Sequence, residues 1–212
     1  MRLFDEFRAE HLLVDQVAGS LIRFAGLAAG GESSEEDVAD FVKFFRVFVA
    51  GYHHEREEQT LFPVLVERAE VPADRGPLPS IEADHRKAAS LVDVLEEASG
   101  NQEKVADAAR RLAHHLWEHV DKEDSVLFPE SSERLRRNGV TRLEGREPTA
   151  EEEAARGLGE RLTKRFPPLD DPKVVRGDGC IACSAFGETC GGIETEWWND
   201  WEHEYHRSLD EG

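Results

Sequence analysis

Histidines and glutamates in this chain recur in a pattern that could bind metal. The pattern His-x3-Glu-x3-Leu-Phe-Pro occurs at residues 53–63 and again at residues 119–129. In an α-helix, residues four apart lie on the same face, so each His and Glu can reach one point beside the helix. The repeat therefore predicts two helices that each supply two metal ligands. These candidate ligands are His53 with Glu57 and His119 with Glu123.

A proline ends each copy of the pattern. Pro63 and Pro129 follow the Leu-Phe pairs that continue the apolar stripe of each helix. Proline disfavours helical geometry at the residue before it and removes a backbone donor. The sequence therefore predicts a break or kink close to each metal-facing turn.

Two further histidines share a motif of their own. His11 and His85 each end an Ala-acid-His triplet, at residues 9–11 and 83–85, and each lies upstream of one copy of the longer pattern. A helical hairpin duplicated in this way would form a bundle with pseudo-twofold symmetry. Four histidines and two glutamates would then meet in its core.

Hydrophobic periodicity places these motifs on four long helices. The helices are predicted at residues 2–29, at about 35–69, from a capping Ser80 to about 98, and at about 102–137. Short loops between long helices favour antiparallel neighbours. We therefore expect an all-α, up-down-up-down four-helix bundle over residues 1–138, followed by an extension over residues 139–212.

The types of the six ligands limit the choice of metal. Buried glutamates are unfavourable unless they are paired or bind a cation. Imidazole and carboxylate without thiolate suit iron, manganese or zinc. Six ligands are too many for a single catalytic zinc, which usually takes three from protein. Two metal ions bridged by Glu57 and Glu123, with the histidines on the outer sides, account for the number of ligands.

Over residues 3–136 these motifs together resemble the hemerythrin-like (HHE cation-binding) proteins. The resemblance is carried by Glu10-His11, His53-His54-x-x-Glu57-Glu58-x-x-Leu61-Phe62-Pro63, Gly76-Pro77 leading to Asp84-His85, and His119-Val120-x-Lys122-Glu123-Asp124-x-x-Leu127-Phe128-Pro129. It implies a four-helix bundle that holds an oxo- or hydroxo-bridged non-haem di-iron centre. By the same resemblance, Glu57 and Glu123 would bridge the irons. The terminal ligands would be His11, His53, His85 and His119.

The chain departs from the oxygen-carrying hemerythrins at one ligand position. Those proteins have a fifth histidine one helical turn after the third-helix histidine, where this chain has Ala89. His54 and His115 are the candidates for an additional ligand. The alternative is that both orient the other ligands by hydrogen bonds. Without an additional ligand, one iron would have an open or water-filled position.

Composition narrows the partners and the compartment. The 45 acidic residues outnumber the 26 basic ones and give a formal net charge of -19, which argues against binding to nucleic acid or to an anionic membrane. No signal peptide and no membrane span are predicted. The three cysteines do not form a disulfide framework. We expect a cytoplasmic protein.

The extension contains a second group of candidate ligands. Cys180, Cys183 and Cys190 could bind zinc together with His203 or His206, form one disulfide with a spare thiol, or remain unliganded. A polar helix capped by Thr149 is predicted at residues 149–165. Residues 166–193 are predicted to be irregular, and a short Trp-rich helix at residues 194–209 offers an apolar face to the bundle, a second subunit or a protein partner.

Two functions follow for a protein of this kind. The first is a di-iron protein that binds or reacts with oxygen, nitric oxide or peroxide. The second is an iron- or oxygen-sensing regulatory module whose metal occupancy is transmitted to a partner through the C-terminal tail. A metal that only staples the bundle is a third, structural alternative. The sequence does not decide between a carrier, a sensor and an enzyme.

Overall fold

The computed structural model describes residues 1–171, and within that range its regular elements are helices. Helix α1 spans Arg2–Ala29, α3 spans Pro77–Glu97 and α5 spans Ala150–Arg165. Helix α2 is continuous through the segments Glu35–Lys43, Phe44–His54, Glu57–Leu61 and Phe62–Ala69. Helix α4 is continuous through Gln102–Lys122, Glu123–Leu127 and Phe128–Arg137. The predicted all-α fold is confirmed.

The starts of the helices follow from local chemistry. Ser34 caps α2 by accepting a hydrogen bond from the backbone N–H of Asp37, and Asn101 caps α4 in the same way. Helix α3 starts at Pro77, three residues before the predicted capping residue Ser80. That prediction was wrong because Gly76 adopts a φ of 77° that turns the chain into the helix, and proline suits a first position where no backbone donor is needed.

Contacts between side chains define how the long helices pack. Near one end of α1, Phe24 packs on Phe41 of α2 with ring centroids 5.1 Å apart. Near the other end, Phe7 packs on Arg56 of α2, with the guanidinium 5.0 Å from the ring centroid. Contacts therefore move backwards along α2 as α1 advances, so these two helices run in opposite directions.

The buried side chains form two apolar clusters on either side of the candidate ligands. The larger cluster extends from Val14 of α1 to Phe166 at the end of α5. The smaller one contains Phe7 and Phe128, together with the first turns of α1 and the last turns of α2 and α4. His11 lies between the two clusters on α1. The polar layer is thus enclosed by apolar side chains above and below.

The prolines are accommodated without breaking the helices. The N–H of Phe62 donates to the carbonyl of Glu57, and the N–H of Phe128 donates to that of Glu123, each five residues back instead of four. A proline in a regular helix would clash with the carbonyl four residues before it, and a wider turn relieves this clash. The helices therefore do not break, a wide π-helical turn lies at each metal-facing position, and the kink stays a prediction.

Helix α5 covers the side of the bundle formed by α1 and α2. The prediction of a helix capped by Thr149 is confirmed, and Thr149 and Glu152 form a reciprocal capping box. A Cβ at Gly159 would collide with the ring of Phe44, so glycine permits the close approach of α5 to α2. The three cysteines and the Trp-rich segment lie outside the described residues, and the domain boundary near 138 stays a prediction.

Among residues 1–171, α1 alone is long and apolar enough to cross a membrane by length and composition. Half of its apolar window is buried inside the bundle, as in the core helix of many proteins. The sequence analysis did not foresee such a window. His11, midway along the same helix, is 1% exposed and faces the other helices.

Candidate metal centre

The six predicted ligands converge between the four long helices. Each is at most 5% exposed. They form two groups together with His54, and within each group the ligand atoms lie within 4.8 Å of one another. The first group is His11, His53, Glu57 and Glu123. The second group is His54, Glu57, His85 and His119.

Many of the polar atoms at this centre have no hydrogen-bond partner within the described part of the chain. They include both carboxylate oxygens of Glu57 and of Glu123, the Nε2 atoms of His54 and His85, and both ring nitrogens of His119. Imidazole and carboxylate atoms approach each other, with His85 Nε2 and His119 Nε2 each 3.3 Å from a carboxylate oxygen. Leaving several buried polar groups unsatisfied is strongly unfavourable. The donor set therefore fits metal ions at the centre.

Carboxylates outside the centre fix the orientation of three histidine rings. Asp124 is 3.0 Å from Nδ1 of His11, Glu10 is 2.8 Å from Nδ1 of His53, and Glu58 is 2.7 Å from Nδ1 of His85. A carboxylate in this position accepts the Nδ1 proton. Each ring then presents its Nε2 lone pair to the centre, which is the form that binds a metal.

These outer carboxylates follow the pseudo-twofold symmetry of the repeat. Glu58 and Asp124 come directly after Glu57 and Glu123, and Glu10 and Asp84 come directly before the histidines of α1 and α3. Asp84 lies 4.0 Å from Nδ1 of His119, too far for a hydrogen bond, and instead accepts from Lys122 at 2.7 Å. The sequence analysis missed the role of these acids, although the repeated acid-His and Glu-acid pairs were the available signal.

A buried arginine pairs with the carboxylate that orients His53. Arg56 is 1% exposed and donates to both Glu6 and Glu10. Its guanidinium also lies 4.4 Å from the ring centroid of Tyr52. Arg56 is one residue before Glu57, as Lys122 is one residue before Glu123, so each half has a cation that pairs with the acid preceding a histidine.

The structure separates the two candidates for an additional ligand. The ring of His54 stacks on that of His85 with centroids 3.8 Å apart, and its Nε2 faces the second group. His115 is also buried, but its Nε2 lies 2.8 Å from the backbone carbonyl of Asp84, to which it can donate. His54 therefore joins the candidate ligands, and His115 holds the segment that carries His85.

Burial and neighbouring charges shift the pKa values at the centre in opposite directions. Burial lowers the pKa of His11, but a hydrogen bond to Asp124 and the nearby carboxylate of Glu123 outweigh this and raise it to about 10. Burial lowers the pKa of His54 well below its usual value, and the nearby His85 lowers it further. Burial raises the pKa of Glu123, but the surrounding histidines bring it well below the usual range. The carboxylate is thus ionised and available to bind a cation.

Comparison with known proteins agrees with this arrangement. A family profile described as "Hemerythrin HHE cation binding domain" matches residues 2–131. Two proteins named "Iron-sulfur cluster repair protein YtfE" are similar over 87 residues, one from Edwardsiella ictaluri (strain 93-146) at 33% identity and one from Enterobacter sp. (strain 638) at 32%. Each match covers 36% of this chain and 39% of the relative, well under half of either. No solved structure matches the chain significantly. With its family profile covering more than half of its length, the chain belongs to the hemerythrin HHE cation-binding family.

Proposed function

We propose that this protein is a non-haem di-iron protein that binds or reacts with oxygen, nitric oxide or peroxide at a carboxylate-bridged centre. The observation that carries the proposal is the set of buried imidazole and carboxylate atoms that have no hydrogen-bond partner among residues 1–171. In this arrangement His11 and His53 would hold one iron, while Glu57 and Glu123 would bridge the pair. His54, His85 and His119 would hold the other iron.

The chain's own residues would prepare this centre for its chemistry. When bound, a ferrous pair supplies electrons to oxygen, nitric oxide or peroxide. Glu10, Glu58 and Asp124 hold their histidines with Nε2 directed inward. Arg56 neutralises Glu6 and Glu10 close to the first iron position. The apolar clusters on both sides of the polar layer limit access of water.

The two halves of the centre differ in the number of histidines. The first group has two histidines and two glutamates, and the second has three histidines and one glutamate. The iron in the first group would therefore have one protein nitrogen fewer than the iron in the second group.

A second candidate function comes from the names of the relatives. Both similar proteins are named for iron-sulfur cluster repair. A role of this kind would use the same di-iron centre. An iron- or oxygen-sensing role through the C-terminal tail is the third candidate, and it requires that metal occupancy change the stability of the bundle.

Metal analysis combined with visible spectroscopy tests the first proposal. Purified protein should contain two irons per chain and show charge-transfer absorption that bleaches on anaerobic reduction and returns with oxygen. One zinc or no iron would overturn the di-iron proposal. The sensing role requires that the metal-free bundle be less stable, because polar groups in its core would be unpaired. Unchanged helicity and melting temperature after iron removal would therefore overturn this role.

Net charge and cysteine content support proposals about the partners and the compartment of the protein. The net charge of -19 supports the absence of a nucleic-acid or anionic-membrane partner, and a cytoplasmic location is the compartment that we propose from the sparse cysteines. Self-association through the Trp-rich segment would appear as a dimer mass in light scattering. The same measurement after truncation at residue 171 assigns the interface.

A further inference from the structure

A small apolar cavity borders the second group of ligands at His54. Its volume is about 60 Å³, and it is enclosed by side chains from α2, α3 and α4. Its walls include Val49, Val92, Leu112 and Leu116, and His54 is the candidate ligand that borders it. His54 is 4% exposed, so the cavity reaches from this buried ring towards the surface.

The mouth of the cavity is formed by exposed residues of α2 and α3. Ala89 and Asp93 lie on α3, and Arg46 lies on α2. Arg46 donates to Asp93 at 2.7 Å and to Glu96 at 2.7 Å, so an ion pair joins the two helices beside the opening. Ala89 has no side chain beyond Cβ, which leaves the opening between these helices unfilled.

The size and lining of the cavity select its occupant. A cavity with apolar walls stays free of ordered water and accepts apolar atoms or small molecules such as xenon. Charged species such as nitrite or superoxide would have to lose their hydration in a space that offers few polar partners. The occupant is therefore an uncharged molecule of two or three heavy atoms.

We propose that this cavity is a binding site for small uncharged apolar gases and that it supplies them to the metal centre along the His54 side. The supply role rests on the proposed di-iron function, whereas gas binding by the cavity does not. The cavity borders His54, and the ring of His54 stacks on His85, so a molecule held there is separated from the second metal position by one imidazole. The wall residues set which molecules reach it.

Xenon binding tests the site without any metal chemistry. Purified full-length protein should give a saturable xenon-129 chemical-shift change, whether it is loaded with iron or with zinc. Ala89→Phe should abolish this shift, because the added ring fills the mouth. Ser90→Phe is the matched control, since Ser90 is an exposed neighbour on α3 that does not line the cavity, and this variant should bind xenon normally.

Gas kinetics test the supply role. With equal iron content, reduced Ala89→Phe protein should react with oxygen or nitric oxide several-fold more slowly than wild type and Ser90→Phe. Absence of xenon binding in the wild type, or normal binding in Ala89→Phe, would overturn the site. Xenon loss with an unchanged gas rate would overturn the supply role alone. A wild-type protein that binds xenon but never reacts with gas would instead overturn the di-iron gas function and leave the site in place.

Discussion

The two halves of the duplicated bundle carry histidines and acids at the same positions of the repeat, but the contacts of these residues differ between the halves. In the α1–α2 half, Glu10 bonds directly to His53 and a buried arginine neutralises it. In the α3–α4 half, Asp84 lies 4.0 Å from His119 and pairs with a lysine. The second half receives His54 across the centre, whereas the residue equivalent to His54 in the repeat is Val120. Sequence symmetry therefore places the candidate ligands, and small departures from it make the two ligand groups unequal.

The strongest test of this inequality is removal of the two central carboxylates. Glu57→Ala should lose both irons, because Glu57 belongs to both ligand groups. Glu123→Ala should also abolish the paired centre, but Glu57 and the three histidines of the second group should retain one of the two irons. Elemental analysis with circular dichroism measures iron and helicity. Equal retention of iron in both variants would contradict the shared role of Glu57.

Replacement of one of the two buried histidines near the centre, His54, by alanine should have the next largest effect, and the same change at His115 is the comparison. His54→Ala should lower the iron content and shift the charge-transfer bands, because it removes a nitrogen from the second group. His115→Ala should leave the bands in place, because its Nε2 lies next to a backbone carbonyl. Visible spectra at matched iron content separate the two outcomes. Identical spectral changes in both variants would argue that His54 is not a ligand.

Replacement of the outer carboxylates compares the halves directly. Glu10→Gln should weaken iron binding by about 10- to 100-fold, as expected for loss of a group that orients a ligand. Asp84→Asn should have a smaller effect, because Asp84 does not hydrogen-bond His119. Iron release to a chelator measures both. Glu6→Gln is the control, since Glu6 binds Arg56 without contacting a histidine, and an effect as large as that of Glu10→Gln would assign the loss to Arg56 instead.

The smallest expected effect is a loss of stability in acid at α5, the helix that packs on α1 and α2. A hydrogen bond from Arg146 lowers the pKa of Glu152 to about 2. Because the folded-state pKa lies below the unfolded value, the stabilisation is complete above pH 4.5 and is lost as the pH falls through about 2. The Arg146 side chain is 39% exposed, so the contribution should be at most about 1 kcal/mol.

Methyl NMR signals of Leu158 and Leu162 should report this loss in acid. Both leucines are buried residues of α5, and their signals should move towards unfolded positions before those of the bundle core. Glu152→Gln should remove the dependence on pH in this range. An acid transition of the same size in that variant would place its origin elsewhere.

Most of the helices and the convergence of the six candidate ligands could be predicted from the sequence because both depend on regular spacing. The 3.6-residue period locates the helices, and residues four apart must share a face. The start of α3 was missed because Gly76 and Pro77 act through backbone conformation, which periodicity does not encode. The choice of His54 over His115 depends on how α3 and α4 approach each other, which no local pattern contains.

The wide turns at Glu57–Leu61 and Glu123–Leu127 also divide each helix into a segment that carries the ligands and an apolar segment that follows it. Each turn absorbs one additional residue, so the helix before it and the helix after it can hold different faces in register with their neighbours. The ligand-bearing segments can then change without rotating Phe62 and Phe128, which close the centre from the other side. Substitutions in the ligand-bearing segment can therefore be accommodated at the wide turn while the apolar side chains after it keep their packing.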